Sequence, residues 1–188
     1  LNTQMQDVHR EEERVRTSES LIIPVDLIVR EADPAAFPEK PEATPATAIR
    51  TTNIVESVRP WLPYIRKHSR QFGIDPDLVS AVLYVESKGD PYAVSPKGAL
   101  GLMQITPSTA EYLGVVDALN PDENIKGGVK YLALLIEKYG EPSALLAYNA
   151  GASIMDRDSI PEETKRFVER VLSLRSYLKD AKRRDDLS

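Results

Sequence analysis

The chain of 188 residues contains no cysteine, and its two histidines are His9 and His68. Without cysteine there is no disulfide framework, no cysteine-based zinc site and no thiol nucleophile. Two histidines are too few for a histidine-rich metal centre. The sequence therefore predicts neither a metal site nor a cofactor. The redox compartment stays open, because a lack of cysteine suits an oxidising or a reducing space equally well.

Glycine and aromatic residues are nearly absent from the first third of the chain. All 9 glycines lie at or after Gly73, and 11 of the 12 aromatic residues lie at or after Trp61. Residues 1–56 hold 11 acidic and 6 basic side chains, whereas the remainder holds 18 of each, so the net charge of −5 belongs to the N-terminal part. We predict an acidic arm over 1–56, a folded domain over 57–178 and a charged tail over 179–188.

Two further absences exclude classes of partner. A basic excess is missing, so the chain carries no electrostatic footprint for nucleic acid. Apolar runs stay well short of the roughly 18 to 20 residues that a membrane-spanning helix requires, so no transmembrane segment is expected. The chain also starts without methionine or a basic-then-apolar leader, which reads as a processed or trimmed product.

The sequence of the arm predicts three short segments. Residues 7–16 are charged and form a marginal helix at best. Residues 21–29, LIIPVDLIV, are apolar around a proline and suit an edge strand or an extended segment docked on the domain or on a partner. Residues 32–49 contain four prolines among alanine, glutamate and threonine, a composition typical of a linker.

The sequence of the domain predicts about six helices and shows no alternation of apolar and polar residues typical of a strand. Asp75, Thr106 and Asn120 each precede a proline, the pattern of an N-cap followed by the first helical residue. Gly73 and Gly140 follow apolar stripes and suit helix ends. With a last helix predicted from residue 162 to 178, the fold class is mainly α.

One side chain breaks the apolar pattern of the second predicted helix. Val79, Val82 and Leu83 form its apolar face, and Glu86 lies seven residues after Val79, at nearly the same angle. A buried carboxyl has a raised pKa and can hold a proton near neutral pH, as a general acid must. The alternative is a glutamate on a frayed last turn that bends out to solvent.

Neutral hydrogen-bonding side chains follow in a long glycine-bearing loop and in a later short helix. Ser95 and Gln104 lie in the loop, and Tyr148 and Asn149 lie in the sequence LLAYNAG. Gathered around one carboxyl, such groups suit a neutral polar ligand such as a sugar. Structural interpretations compete with this one: Ser95 as a turn former, Met103 as a core filler and Tyr148 as a core aromatic.

Four motifs together resemble a known family, the soluble (Slt-type) lytic transglycosylases, relatives of goose-type lysozyme. They are VESKGDPYAVSPKGALGLMQITPSTA (85–110), LNPDENIKGGVKYLALL (119–135), AYNAG (147–151) and IPEETKRFVERVL (160–172). The resemblance covers about residues 61–178 and leaves the arm out. It implies a lysozyme-like helical domain with an extended N-terminal arm.

The resemblance also implies a mechanism. The family's single catalytic glutamate falls on Glu86, which would act as acid and then as base on the β-1,4 bond between N-acetylmuramic acid and N-acetylglucosamine. The product would be a 1,6-anhydromuramoyl end. In the matching motifs, Ser95, Met103 and Gln104 would contact substrate. Tyr148 would orient the carboxylate, and Asn149, at the cleft, would chiefly stabilise the loop.

Other glycosidases need a second carboxylate, and the sequence offers no obvious one. Asp90 follows Gly89 and suits a turn, while Glu111, Asp122 and Glu123 resemble first-turn acids of helices. The segment GASIMDRDS (151–159) departs from the family's Gly-Pro-Gly-x-Val, which puts the cleft rim and subsite preference in doubt. Phe167 stands where a tyrosine is frequent, and we interpret it as packing.

Two alternatives stay open: a weakly active or non-catalytic peptidoglycan-binding module of an envelope apparatus, and a hydrolytic goose-type muramidase. The expected partners are peptidoglycan strands and, through the arm, an envelope or secretion-machinery protein. The resemblance places the protein in the bacterial periplasm or cell envelope.

Overall fold

A computed structural model describes residues 51–183 of the chain. The segments predicted at 7–16, 21–29 and 32–49 lie outside the described residues. Within residues 51–183 the backbone forms seven α-helices and two short 3₁₀ turns, Arg59–Trp61 and Ala152–Asp156. The helices are α1 (Thr51–Val58), α2 (Leu62–Phe72), α3 (Pro76–Ser87), α4 (Pro107–Leu113), α5 (Pro121–Tyr139), α6 (Glu141–Ala150) and α7 (Glu162–Arg183).

Helix starts follow the predicted capping pattern. The side chains of Asp75, Thr106 and Asn120 accept backbone N–H groups in the first turns of α3, α4 and α5, and a proline follows each cap. Such caps satisfy amide groups that have no partner inside the helix. Glu111 is the exception among the predicted first-turn acids, because it lies beyond the first turn of α4.

The folded part extends past both predicted boundaries. Helix α1 starts at Thr51, and its Ile54 and Val58 are almost fully buried, so core packing begins before residue 57. At the other end, α7 continues beyond Leu178 and buries Ala181. The predicted start relied on the first glycine and aromatic residues, and α1 contains neither.

Helix α3 lies at the centre of the domain. Nine of its residues are buried, including both flanks of the predicted apolar face. It packs against α1, α2 and α7, and Val79, Val82 and Leu83 belong to the main core cluster. A helix that is apolar on most sides is stable only when other elements surround it. The last turn of α3 is therefore held inside the protein rather than frayed into solvent.

An ion-pair network ties the starts of two helices to α7. The guanidinium of Arg175 binds the carboxylates of Asp75 and Glu141, and Lys179 also reaches Asp75 at 3.0 Å. Burial acts to raise the pKa of Asp75, but the Asp77 amide and these cations outweigh it and hold that pKa below its usual value. The network fixes α3 at the end opposite to Glu86.

The part of the chain that the structure describes has no helix long and apolar enough to cross a membrane.

Candidate active site

Glu86 occupies the last turn of α3 and is half-buried there. Burial raises the pKa of its carboxyl to about 7, while the positive charge of Lys88 acts in the opposite direction. The helix remains regular to Ser87, so the alternative of a frayed turn is not what the structure shows. A carboxyl with this pKa exists in both protonation states near neutral pH, and it can both give and take a proton.

Among the described residues, Lys88 is the one charged group that shifts the pKa of Glu86. A neighbouring carboxylate would raise that pKa further by repulsion, and none does so. The Oδ1 of Asp90 accepts the N–H of Tyr92 at 2.9 Å, which is the predicted turn-forming role. The described part of the chain also holds no cluster of three residues able to bind a metal ion.

Asp122 and Glu123, which were also candidates for a second carboxylate from the sequence, make hydrogen bonds at the start of α5. Asp122 accepts hydrogen bonds from Lys67 and from the buried His68. Glu123 accepts two backbone N–H groups of the connection between α4 and α5. Both carboxylates lie in the first turn of α5, as predicted, and neither influences the pKa of Glu86.

Tyr148 shares the environment of Glu86. Burial raises its pKa well above the usual value, and the negative charge of Glu86 adds to that rise. Its hydroxyl donates to the carbonyl of Met103 at 2.9 Å, and its ring lies 5.5 Å from that of Tyr131. The phenol therefore stays protonated, and its orientation is fixed by the loop rather than by solvent.

Ser95 and Gln104 both stabilise the loop between α3 and α4. The Oγ of Ser95 accepts the N–H of Ala99 at 3.0 Å, which closes a tight turn. Gln104 adopts a left-handed backbone conformation with φ +49°, and its amide donates to the carbonyls of Ala93 and Gly101. The structural role considered for Ser95 is therefore present, whatever the residue does with substrate.

Met103 and Asn149 lie at opposite extremes of exposure. The Met103 side chain is fully buried and so close to Gly128 that a Cβ there would come within 2.6 Å of it. This burial matches the core-filler interpretation, and in this conformation the side chain offers no surface to a sugar. Asn149 is exposed on the last turn of α6, next to Tyr148.

Sequence reasoning missed Asn124, which connects three segments around the loop. This side chain is 1% exposed. Its Oδ1 accepts the N–H of Met103 at 2.7 Å, and its Nδ2 donates to the carbonyls of Leu100 and Ala118 at 2.9 and 2.7 Å. The available signal was an amide directly before the apolar Ile125, which is buried on the same helix. Asn124 fixes Met103, and Met103 in turn receives the hydroxyl of Tyr148.

Comparison with known proteins adds to this geometry. Residues 63–167 match the family described as Transglycosylase SLT domain. A transglycosylase of Enterobacteria phage PRD1 is 44% identical over 94 residues, which are 50% of this chain and 36% of the phage protein. Membrane-bound lytic murein transglycosylase F of Vibrio cholerae is 41% identical over 99 residues, 48% of this chain and 18% of that protein. The chain thus spans well under half the length of these relatives.

Solved structures confirm the fold class. The 70-kDa soluble lytic transglycosylase of Escherichia coli superposes with a TM-score of 0.54 at 26% identity, over 61% of this chain and 23% of that one. The same kind of enzyme in complex with bulgecin A gives a TM-score of 0.61 at 24% identity, over 67% and 25%. The predicted mainly helical domain is therefore correct, while the kinship with goose-type lysozyme stays a prediction.

Proposed function

Because the chain belongs to the Transglycosylase SLT domain family, we propose that its domain is a peptidoglycan lytic transglycosylase. Its substrate is the β-1,4-linked glycan of N-acetylmuramic acid and N-acetylglucosamine. The observation that carries the proposal is the half-buried Glu86, whose pKa of about 7 suits acid and base work. Relatives named as transglycosylases support it.

Glu86 performs both proton transfers of the proposed reaction. As the acid, it protonates the bridging oxygen while the bond from that oxygen to C1 of the muramoyl sugar breaks. As the base, it then takes the proton of the muramoyl 6-hydroxyl while O6 bonds to C1. The glutamate ends in its starting protonation state, and no water is consumed. General acid–base catalysis of this kind contributes about 10² to 10⁴ in rate.

With a single carboxylate, no second protein carboxylate stabilises the positive charge that develops at C1 when the glycosidic bond breaks. The 2-acetamido group of the substrate supplies that stabilisation in substrate-assisted glycosidases. The lack of any second carboxylate acting on Glu86 among the described residues supports this route. It also disfavours the two-carboxylate schemes, in which the second group lies roughly 5 to 9.5 Å from the first.

The remaining predicted site residues receive different parts in the proposal. Tyr148 limits the movement of the Glu86 carboxyl from the α6 side. Ser95 and Gln104 hold the loop that borders the site, and they contact the sugar from there. Asn149, exposed beside Tyr148, bounds the cleft rim. Met103 contributes through its backbone carbonyl, which orients the Tyr148 hydroxyl.

The substrate places the protein in the bacterial envelope, and we propose the periplasm as its compartment. The name of the Vibrio cholerae relative, a membrane-bound murein transglycosylase, agrees with an envelope location. An envelope or secretion-machinery protein that binds the acidic arm, residues 1–56, remains part of the proposal.

Mass spectrometry of the fragments released from purified peptidoglycan tests the proposed chemistry. We expect muropeptides with 1,6-anhydromuramoyl ends, because O6 rather than water attacks C1. A hydrolytic muramidase would release the same fragments about 18 Da heavier, by one water. Predominance of the heavier series would contradict the proposal. Binding to the polymer without release would instead support the assembly-module alternative.

A further inference from the structure

Lys88 is held in an unusual conformation directly after Glu86 and Ser87. It is the C-cap residue of α3 and has φ +59°, in the left-handed region. A residue other than glycine pays roughly 1 to 2 kcal/mol for this backbone conformation. Glycine would avoid that cost, and the next residue is in fact Gly89. The lysine side chain makes contacts at this position that glycine could not make.

That side chain folds back over the last turn of its own helix. Its Nζ donates to the carbonyl of Tyr84 at 3.1 Å and to that of Val85 at 3.4 Å. The ammonium also lies 4.6 Å from the centre of the Tyr84 ring. Carbonyl groups at a helix C-terminus carry partial negative charge and favour a cation there. Three contacts thus fix one positive charge at the end of α3 that carries Glu86.

Within residues 51–183, few charged groups influence the pKa values of Glu86 and Lys88. Burial and, to a smaller extent, the positive charge of Arg170 from α7 lower the pKa of Lys88 to about 8, although the negative charge of Glu86 opposes both. From α6, Tyr148 faces Glu86 as a neutral phenol. Lys88 thus supplies the positive charge that counteracts the burial of Glu86.

We propose that Lys88 is a positioning residue for Glu86: its ammonium, fixed on the C-terminal carbonyls of α3, limits how tightly the carboxyl holds its proton. The inference rests on the proposed acid–base function of Glu86. Without the cation, burial and the helix terminus would both favour the protonated form. Glu86 would then be a more abundant acid at neutral pH, but it would deprotonate less readily for the step in which it acts as base.

Three substitutions separate the charge from the backbone conformation: Lys88→Met, Lys88→Gln and Lys88→Arg. All three keep a Cβ at the same positive φ, so the backbone cost is matched. In the full-length chain, we expect the pH at which activity falls on the alkaline side to rise by roughly half a unit in Lys88→Met and Lys88→Gln. Lys88→Arg keeps a charge that does not titrate and is expected to stay at or below the parent value.

A carboxyl titration of Glu86 by NMR in the same variants gives a readout that needs no activity. The same order of midpoints supports the proposal. Equal midpoints in Lys88→Met and the parent would overturn it and leave Lys88 as a helix cap that affects only the melting temperature. Failure of the proposed function is distinguishable, because it would appear as activity retained in Glu86→Gln while the order of midpoints could still be measured.

Discussion

Replacing Glu86 by glutamine is expected to lower the release of anhydromuropeptides by about a thousandfold or more. Glutamine is nearly the same size, but it neither gives nor takes a proton at neutral pH. Both steps of the proposed reaction depend on this one carboxyl, so no second group compensates for its loss. The measurement is the initial rate of fragment release from purified peptidoglycan at pH 6 to 7.

A matched control is Glu137→Gln, which makes the same change on the exposed surface of α5 and is expected to retain full activity. Full activity in Glu137→Gln together with loss of activity in Glu86→Gln would assign the loss to the carboxyl at position 86 rather than to a glutamate-to-glutamine change as such. A folded Glu86→Gln variant with the parent rate would show that another residue carries the reaction.

Glu86→Gln is also expected to have at least the same free energy of unfolding as the parent. The pKa of Glu86 is raised from 4.5 to about 7 in the folded protein. The unfolded chain therefore ionises first, and the parent loses stability as the pH rises from about 4.5 through 7. Its deficit relative to Glu86→Gln should grow over that range to at most about 3 kcal/mol. Urea unfolding at pH 5 and pH 8 measures this difference.

Asn124→Leu is expected to lower the free energy of unfolding by about 3 to 5 kcal/mol. The leucine side chain is similar in size, but it leaves the Met103 amide and the Ala118 carbonyl without their buried partner. The Leu100 carbonyl loses one of its two donors and keeps the N–H of Ile105. Each such loss costs about 1 to 3 kcal/mol. Urea unfolding at pH 7 measures the change.

Asn124→Asp serves as a graded comparison, because it keeps the acceptor for Met103 and loses both donors. We expect a cost at least comparable to that of the leucine, because the second carboxylate oxygen would lie buried against the carbonyls of Leu100 and Ala118. Asn149→Ala, which changes an exposed asparagine, should alter stability by no more than about 0.5 kcal/mol. If Asn124→Leu unfolded at the parent's urea concentration, Asn124 would not be the connection that holds the loop.

Features set by neighbours in the sequence were predictable. The caps at Asp75, Thr106 and Asn120 bind amides two or three residues away, so the local pattern contains all the information needed. Glu86 was identified in the same way, because helical periodicity alone places it on the face of Val79. The left-handed glycine that ends α2 follows the same local logic.

Features set by distant contacts were not predictable. Helix α1 belongs to the core because its Ile54 and Val58 meet α3, and nothing within the helix itself reveals that partner. The burial of Met103 depends on Gly128, and the role of Asn124 depends on a loop more than 20 residues away. The left-handed Lys88 is likewise invisible to a propensity argument, which would assign that conformation to glycine.

The proposed reaction depends most on Glu86 holding its proton near neutral pH. Titration of the Glu86 carboxyl by NMR in the folded parent protein, with Glu86→Gln to assign the signal, measures this property directly. The account predicts a midpoint of about 7. A midpoint at the ordinary glutamate value of about 4.3 would contradict it, because such a carboxyl would be almost entirely ionised at neutral pH and could not start the reaction as an acid.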